Sequence, residues 1–366
     1  MVDVKKLHEI YGDVVRTAPD EVSFAREEAW HDVFSSYKQF PRNQTFFKAP
    51  PGQPDNLITT VDQKKNTRMR QVVMPAFTER ALAKQEPVIQ SYARLMIGKL
   101  VDQAVSTNSG ETGSTINIVD WLNWFTFDVI GELTLGESFN CLRNETNHQW
   151  VSLIFNSIKS VWGFHVLLPL KLSLTDLVMA LAAATRYYIG LEPFLIRLLP
   201  PRIRKMQSDH YATALGKIHR RMNRSTARED FMTPMLNSNN PNFTKMSLEE
   251  IESTTALLLV AGSETTGTTL CGTINLLVQN PIELRKLEHE IRSNYKREEE
   301  LTFRTLQTLP FLNAVIHEGL RLCNPVAGGL LRVAPKGGAT VCGHFLPEGV
   351  SDCNECLYIL HSTDVA

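Results

Sequence analysis

"LLLVAGSETTGTTL", residues 257–270, decides how the rest of this chain is read. An apolar run reaches Val260 and Ala261. Gly262, Glu264, Gly267 and four threonines interrupt it before apolar residues resume. In a helix interior each glycine costs about 1 kcal/mol relative to alanine. Thr265, Thr266, Thr268 and Thr269 are β-branched, and their hydroxyls compete for the carbonyl one turn back. Glu264 adds a carboxylate whose burial is expensive without a partner. Two readings account for these penalties. One is close helix packing across the glycines, with the threonines bonded to backbone carbonyls. The other is a bent, hydrated helix wall that opens a groove beside a ligand and supplies a hydroxyl and an acid for proton transfer.

The helix that contains the stretch has legible ends. Ser247 followed by Glu250 reads as a capping box, and Asn280-Pro281 closes the segment. The spacing predicts about 32 residues spanning roughly 48 Å. Around it, residues 10–60 read as extended and loop-like, and "QKKNTRMRQVVMPAFTERAL" and "EPVIQSYARLMIGKLVDQAV" show apolar positions at helical spacing. "TNSGETGST" is a polar loop, and "INIVDWLNWFTFDVIGELTLG" is a helix apolar enough for a core. After Cys323, "RVAPKGGATVCGHFLPEG" reads as short strands joined by turns. The pattern predicts a mainly α (α+β) fold, a helical body with a small β-region at each end, as one domain over residues 1–366.

Composition narrows the function classes. The 366 residues are 43% hydrophobic and 21% charged, with a net charge of -1. No global basic field exists, which argues against nucleic-acid binding. Six cysteines, three far apart and three crowded near the C-terminus, do not form a dense disulfide scaffold, which points to a reducing compartment. The N-terminal "MVDVKKLHEIYGDVV" has no signal-peptide h-region. The most apolar stretch, from Val161 to Pro201, is broken by Lys171, Asp176 and Arg186, and reads as buried or interfacial helices.

Two further features bear on a site. Glu318 and Arg321 in "HEGLRL" share a helix face and, within an apolar helix, suggest a partly buried bidentate pair. Arg68 and Arg70 in "NTRMRQ" are either a solvated basic face or a source of an arginine for an anionic cofactor group.

In their order and spacing these motifs resemble the cytochrome P-450 superfamily of haem-thiolate monooxygenases, particularly its microsomal-type fungal members. "AGSETT" at 261–266 is similar to the family's oxygen-activation helix, and "EGLR" at 318–321 to its Glu-x-x-Arg helix. "LHEIYGDVVRTAPDEVSF" and "LRVAPKGGATVCGHFLPEG" are similar to its strand segments. The likeness covers roughly residues 7–350, with 351–366 a divergent tail. The resemblance implies haem (heme b, iron) as cofactor, NADPH electrons delivered by a reductase partner, a hydrophobic small-molecule substrate, and the cytosolic face of the endoplasmic reticulum membrane. It implies that Thr265 hydrogen-bonds dioxygen or its water and that Glu264 feeds protons into that relay. Ala261 and Gly262 would flank the groove over the haem. Arg70 and Arg332 would contact haem propionates, and Glu318 and Arg321 would form a structural pair. Asn66 stands where the family usually has Trp or His. The Val161–Pro201 segment falls at the substrate lid, a face that meets the membrane surface.

The family's iron-ligating loop, Phe-x-x-Gly-x-Arg-x-Cys-x-Gly, does not occur in these 366 residues, nor does its membrane anchor. The expectation is a chain that binds haem weakly or not at all and is inactive as written, with "SDCNECLYILHSTDVA" resembling a misread intron or shifted frame. The alternatives are a non-catalytic remnant or helical scaffold, and a helical lipid carrier. Cys342, His344, Cys353, Cys356 and His361 include enough ligands for zinc, but without a second close pair they read as chance.

Overall fold

The computed structural model describes residues 4–35, 40–47, 49, 53–106, 115–146, 212, 215–224, 228–236, 246–326 and 330–354. The expected apolar lid at 161–201, most of the polar loop after 106 and the tail from 355 lie outside them. The chain forms two compact units.

The described residues of the first unit belong to Met1–Thr67 and Val326–Ala366. Helix α1 (Val4–Tyr11) leads into strands β1 (Val14–Ala18) and β2 (Glu21–Phe24). The later strands are β3 (Arg332–Val333), β4 (Ala339–Val341), β5 (His344–Leu346) and β6 (Ser351–Asn354). The β-regions read as separate at the two chain ends join in one sheet. Its order is β1-β2-β6-β3, with β2 and β6 parallel and the other pairs antiparallel. Residues 351–354, read from the sequence as divergent tail, thus fill the middle of a sheet. Asn43 secures the start of that strand, donating from Nδ2 to Ser351 Oγ at 2.8 Å.

β4 and β5 form a hairpin whose two turn residues, Cys342 and Gly343, both have positive φ (47° and 80°). That is the turn whose twist suits a two-residue loop. The Cys342 N–H donates to the Asp32 carboxylate at 2.9 Å. Asp32 lies on a π-helical turn, His31–Ser35, that follows a short α-turn, Glu27–Trp30. Ala29 and Val33 of these turns enter a core with Phe24, Phe40, Val341 and Leu346.

Helix α2 (Gln63–Val73) carries the chain into the second unit, whose described residues belong to Arg68–Phe155 and His210–Pro325. This unit is helical: α3 (Glu79–Ser106), α4 (Ile118–Leu135), α5 (Leu248–Gln279), α6 (Pro281–Asn294) and α7 (Pro310–Leu322). The apolar α4 packs against both α3 and α5. It buries Trp121, Phe127 and Leu135, as its composition predicts. Asn117 caps it, and Gly136 closes it in the left-handed conformation at φ 61°. A basic segment then satisfies its C-terminal end. Arg224 donates to the carbonyls of Leu135 and Gly136, and Lys217 and Arg220 pair with Glu137.

Helix α7, which carries the Glu-x-x-Arg pair, begins with Pro310 and has no side-chain cap of its own. Glu290 of α6 supplies one, accepting the N–H groups of Phe311 and Leu312 at 2.9 and 2.8 Å. The fold is the helical body with small β-regions that the sequence predicts. Among the described residues no helix is long and apolar enough to cross a membrane.

Candidate functional site

Helix α5 runs for 32 residues between the predicted ends. Ser247 Oγ accepts the Glu250 N–H at 3.2 Å, and the Glu250 carboxylate accepts the Ser247 N–H at 2.9 Å. The same carboxylate takes both arms of the Arg68 guanidinium, at 2.6 and 3.0 Å. Arg68, one of the two arginines offered for a cofactor, is therefore spent on the start of α5. Arg70 stays exposed, and among the described residues it has no hydrogen bond or ion pair.

The two faces of α5 differ. Leu259 and Ser263 are fully buried and Gly267 is buried, one turn apart, on the side that meets α4. A Cβ on Gly262 would stand 2.5 Å from Ile130 Cδ1, and one on Gly267 would stand 2.7 Å from Asn123 Oδ1. The glycines therefore let α4 approach. Any share of Gly262 in flanking a groove comes through its backbone. At about 100° per residue, Ala261, Thr265 and Thr268 lie opposite Ser263. Ala261 and Thr265 are partly exposed and Thr268 is exposed. Glu264 is also partly exposed, so its carboxylate is not forced into the core.

The hydroxyls answer the other half of the puzzle. Thr265 Oγ1 donates to the Ala261 carbonyl at 2.6 Å, Thr269 Oγ1 to the Thr265 carbonyl at 3.0 Å, and Ser263 Oγ to the Leu259 carbonyl at 2.8 Å. Each is satisfied within its own helix. The packing reading thus describes the buried face, and α5 is helical without interruption across the stretch.

Glu318 and Arg321 form the expected bidentate pair, at 2.7 and 2.5 Å. The expectation that it is partly buried is corrected. Its side chains are 53% and 36% exposed. The reason is the orientation of α7. Gly319 is the position that packs against Thr273 of α5, and the pair faces elsewhere. Arg321 is still held above its ordinary pKa by its hydrogen bond to Glu318.

Arg332 lies in the first unit, on β3. Its guanidinium carbon sits 5.1 Å over the Phe34 ring, and its Nε is buried without a hydrogen-bond partner. Burial, and then the neighbouring charge of Arg42, lower its pKa from the usual arginine range. Arg42 itself is anchored, its Nη1 donating to the carbonyls of Leu57, Ile58 and Thr60 at 2.8, 3.0 and 3.0 Å. A buried donor beside a second cation fits an anion such as a carboxylate. Asn66 donates to the Leu57 carbonyl at 2.8 Å, so its side chain is engaged locally. Cys356 and His361 of the zinc reading lie outside the described residues, and among those described no three metal-ligating side chains converge. Sequence reasoning missed Phe34 and Arg42. The one local signal was aromatic spacing, since Trp30 and Phe34 are four residues apart and stack with ring centroids 4.4 Å apart.

Comparison with known proteins adds an independent finding. A family model described as cytochrome P-450 matches residues 1–363, beyond the limit of 350 read from the motifs. The chain is 36% identical over 352 residues to the cytochrome P-450 monooxygenase astJ of Aspergillus oryzae, covering 95% of this chain and 65% of that protein. It is 33% identical over 350 residues to the monooxygenase efuB of Hormonema carpetanum, covering 94% and 65%. It is also 33% identical over 356 residues to the versicolorin B desaturase of Dothistroma septosporum, covering 94% and 63%. The chain thus spans just under two thirds of the length of these relatives.

Proposed function

The chain belongs to the cytochrome P-450 family, and from that premise we propose that its chemistry is haem-dependent monooxygenation of a hydrophobic small molecule. Electrons originate in NADPH and arrive through a reductase partner, and the setting is the cytosolic face of the endoplasmic reticulum membrane. These assignments rest on the family. Insertion of one oxygen atom is taken as the reaction because two of the three relatives above carry the name monooxygenase. We treat residues 1–366 as one domain.

One observation of this chain carries the cofactor reading. The buried Nε of Arg332 has no partner, and a haem carboxylate would supply one. Arg70, exposed and without a partner among the described residues, is the second candidate for a carboxylate. When bound, haem supplies the redox centre at which dioxygen is activated. The chain's own residues do the rest. Ala261 leaves space beside the helix. The Thr265 hydroxyl, donating at rest to the Ala261 carbonyl, can rotate to hold dioxygen or a water. Glu264, partly exposed, collects a proton from solvent and passes it to the Thr265 hydroxyl. Glu318 and Arg321 serve the shape of α7.

These 366 residues contain no Phe-x-x-Gly-x-Arg-x-Cys-x-Gly loop. Without a thiolate, haem lacks the electron push that favours O–O cleavage. The test is the reduced carbon-monoxide spectrum of the 366-residue polypeptide after haem is added. Weak haem binding or none, without a thiolate-type Soret band, is expected. A thiolate-type band contradicts this expectation. Of the two expected outcomes, a weak complex supports the cofactor reading and none favours a scaffold or lipid carrier.

A further inference from the structure

We infer that Phe34 is a positioning residue whose ring holds the Arg332 guanidinium in place to receive a carboxylate of the cofactor. The inference rests on the reading of Arg332 given above and goes beyond it, to how the arginine is held. Three observations within the first unit carry it.

The first is the platform. The Arg332 guanidinium lies 5.1 Å over the Phe34 ring, and Trp30 stacks on the same residue with centroids 4.4 Å apart and planes 30° apart. An arginine over an aromatic face is attracted by the ring quadrupole, and it keeps its in-plane N–H donors available. The second is the backbone that presents the ring. Phe34 lies on the π-helical turn His31–Ser35, a geometry that is rare and often found at functional sites. That turn is fixed from two sides. Val33 is buried in the core, and the Asp32 carboxylate accepts the Cys342 N–H at 2.9 Å. The third is that the arginine is held but not satisfied. Its backbone is tied by the β3–β6 pairing and a bridge to Arg42, while its Nε stays buried and without a partner.

The arrangement is that of a receptor built before its ligand. Phe34 holds the guanidinium in one plane, and Arg42, fixed on three carbonyls, adds positive charge without competing for the donor. The ligand class is a carboxylate, and the ring system that carries it follows from the family reading above.

The experiment avoids the iron and its axial ligand. The 366-residue chain is titrated with protoporphyrin IX and with its dimethyl ester, whose carboxylates are masked, and tryptophan emission is followed. The wild-type chain is expected to bind the free acid more tightly. Phe34→Leu is expected to raise Kd for the free acid by about 2- to 30-fold, the range of a cation–π contact from exposed to desolvated. The ester's Kd is expected to stay unchanged, and Phe34→Tyr, which keeps the ring face, to restore the preference. Phe34→Met, run alongside, carries the same expectation where leucine disturbs the core. Equal weakening of acid and ester marks Phe34 as merely structural and overturns the inference, as does no change in either. A wild-type chain that binds neither porphyrin, or does not tell acid from ester, removes the reading of Arg332 and the inference with it.

Discussion

Replacing Glu250 with alanine is expected to lower stability to urea by about 3–5 kcal/mol, the range for breaking a buried ion pair. Glu250 is the third residue of α5, and its side chain is 9% exposed, against 24% for Arg68. One oxygen accepts from Arg68 at 2.6 Å. The other accepts from Arg68 at 3.0 Å and from the Ser247 N–H at 2.9 Å. Its loss leaves a largely desolvated guanidinium and an open helix start together. Ser247→Ala, which removes only the reciprocal cap, is expected to cost about 1 kcal/mol. Glu250→Gln, still able to accept one hydrogen bond, falls between the two. If Glu250→Ala costs no more than Ser247→Ala, the ion pair contributes nothing to stability.

Gly262→Leu is expected to destabilise the chain by about 3 kcal/mol, the upper end of the usual overpacking range. The first added carbon would already stand 2.5 Å from Ile130 Cδ1 and 2.8 Å from Cγ1. Gly262→Ala is milder, since about 1 kcal/mol of helix propensity offsets part of the clash. Ile130→Val, which removes the clashing Cδ1, costs about 0.5–1.5 kcal/mol alone. Combined with Gly262→Ala, it is expected to recover stability by more than the roughly 0.5 kcal/mol scatter of independent sites. Simple additivity in urea unfolding contradicts the view that Gly262 exists to admit α4.

What could be read from the chain beforehand follows from range. The ends of α5 were legible because a capping box and an Asn-Pro pair act within four residues. The hairpin at Cys342–Gly343 was legible as a turn because its chemistry is equally local. The partner of Glu250 was not, because Arg68 lies 182 residues away. The joining of β2 to β6 was hidden for the same reason. Parallel register depends on two distant segments, and nothing in "SDCN" announces it. In the candidate site, the residue types of α5 were legible, but not which face each occupies. The glycines and Ser263 turned out to serve the α4 side, with Ala261 and Thr265 opposite them. Arg332 could be named from its motif. Its aromatic support comes from Phe34, in a distant part of the chain.

The central claim is that the Ala261–Thr265 face of α5 is the side that meets the cofactor. A helix is about 10–12 Å across with its side chains, so the two faces are separable by a paramagnetic probe. The chain, methyl-labelled at alanine, threonine, isoleucine and leucine, is mixed with ferric haem and its methyl spectrum recorded, with diamagnetic zinc protoporphyrin as control. The account predicts strong broadening of the Ala261 and Thr265 methyl signals by the ferric complex only, and much weaker broadening at Leu259 and Ile130 on the packed side. Broadening that favours Leu259 and Ile130, or that spares Ala261 and Thr265, contradicts it.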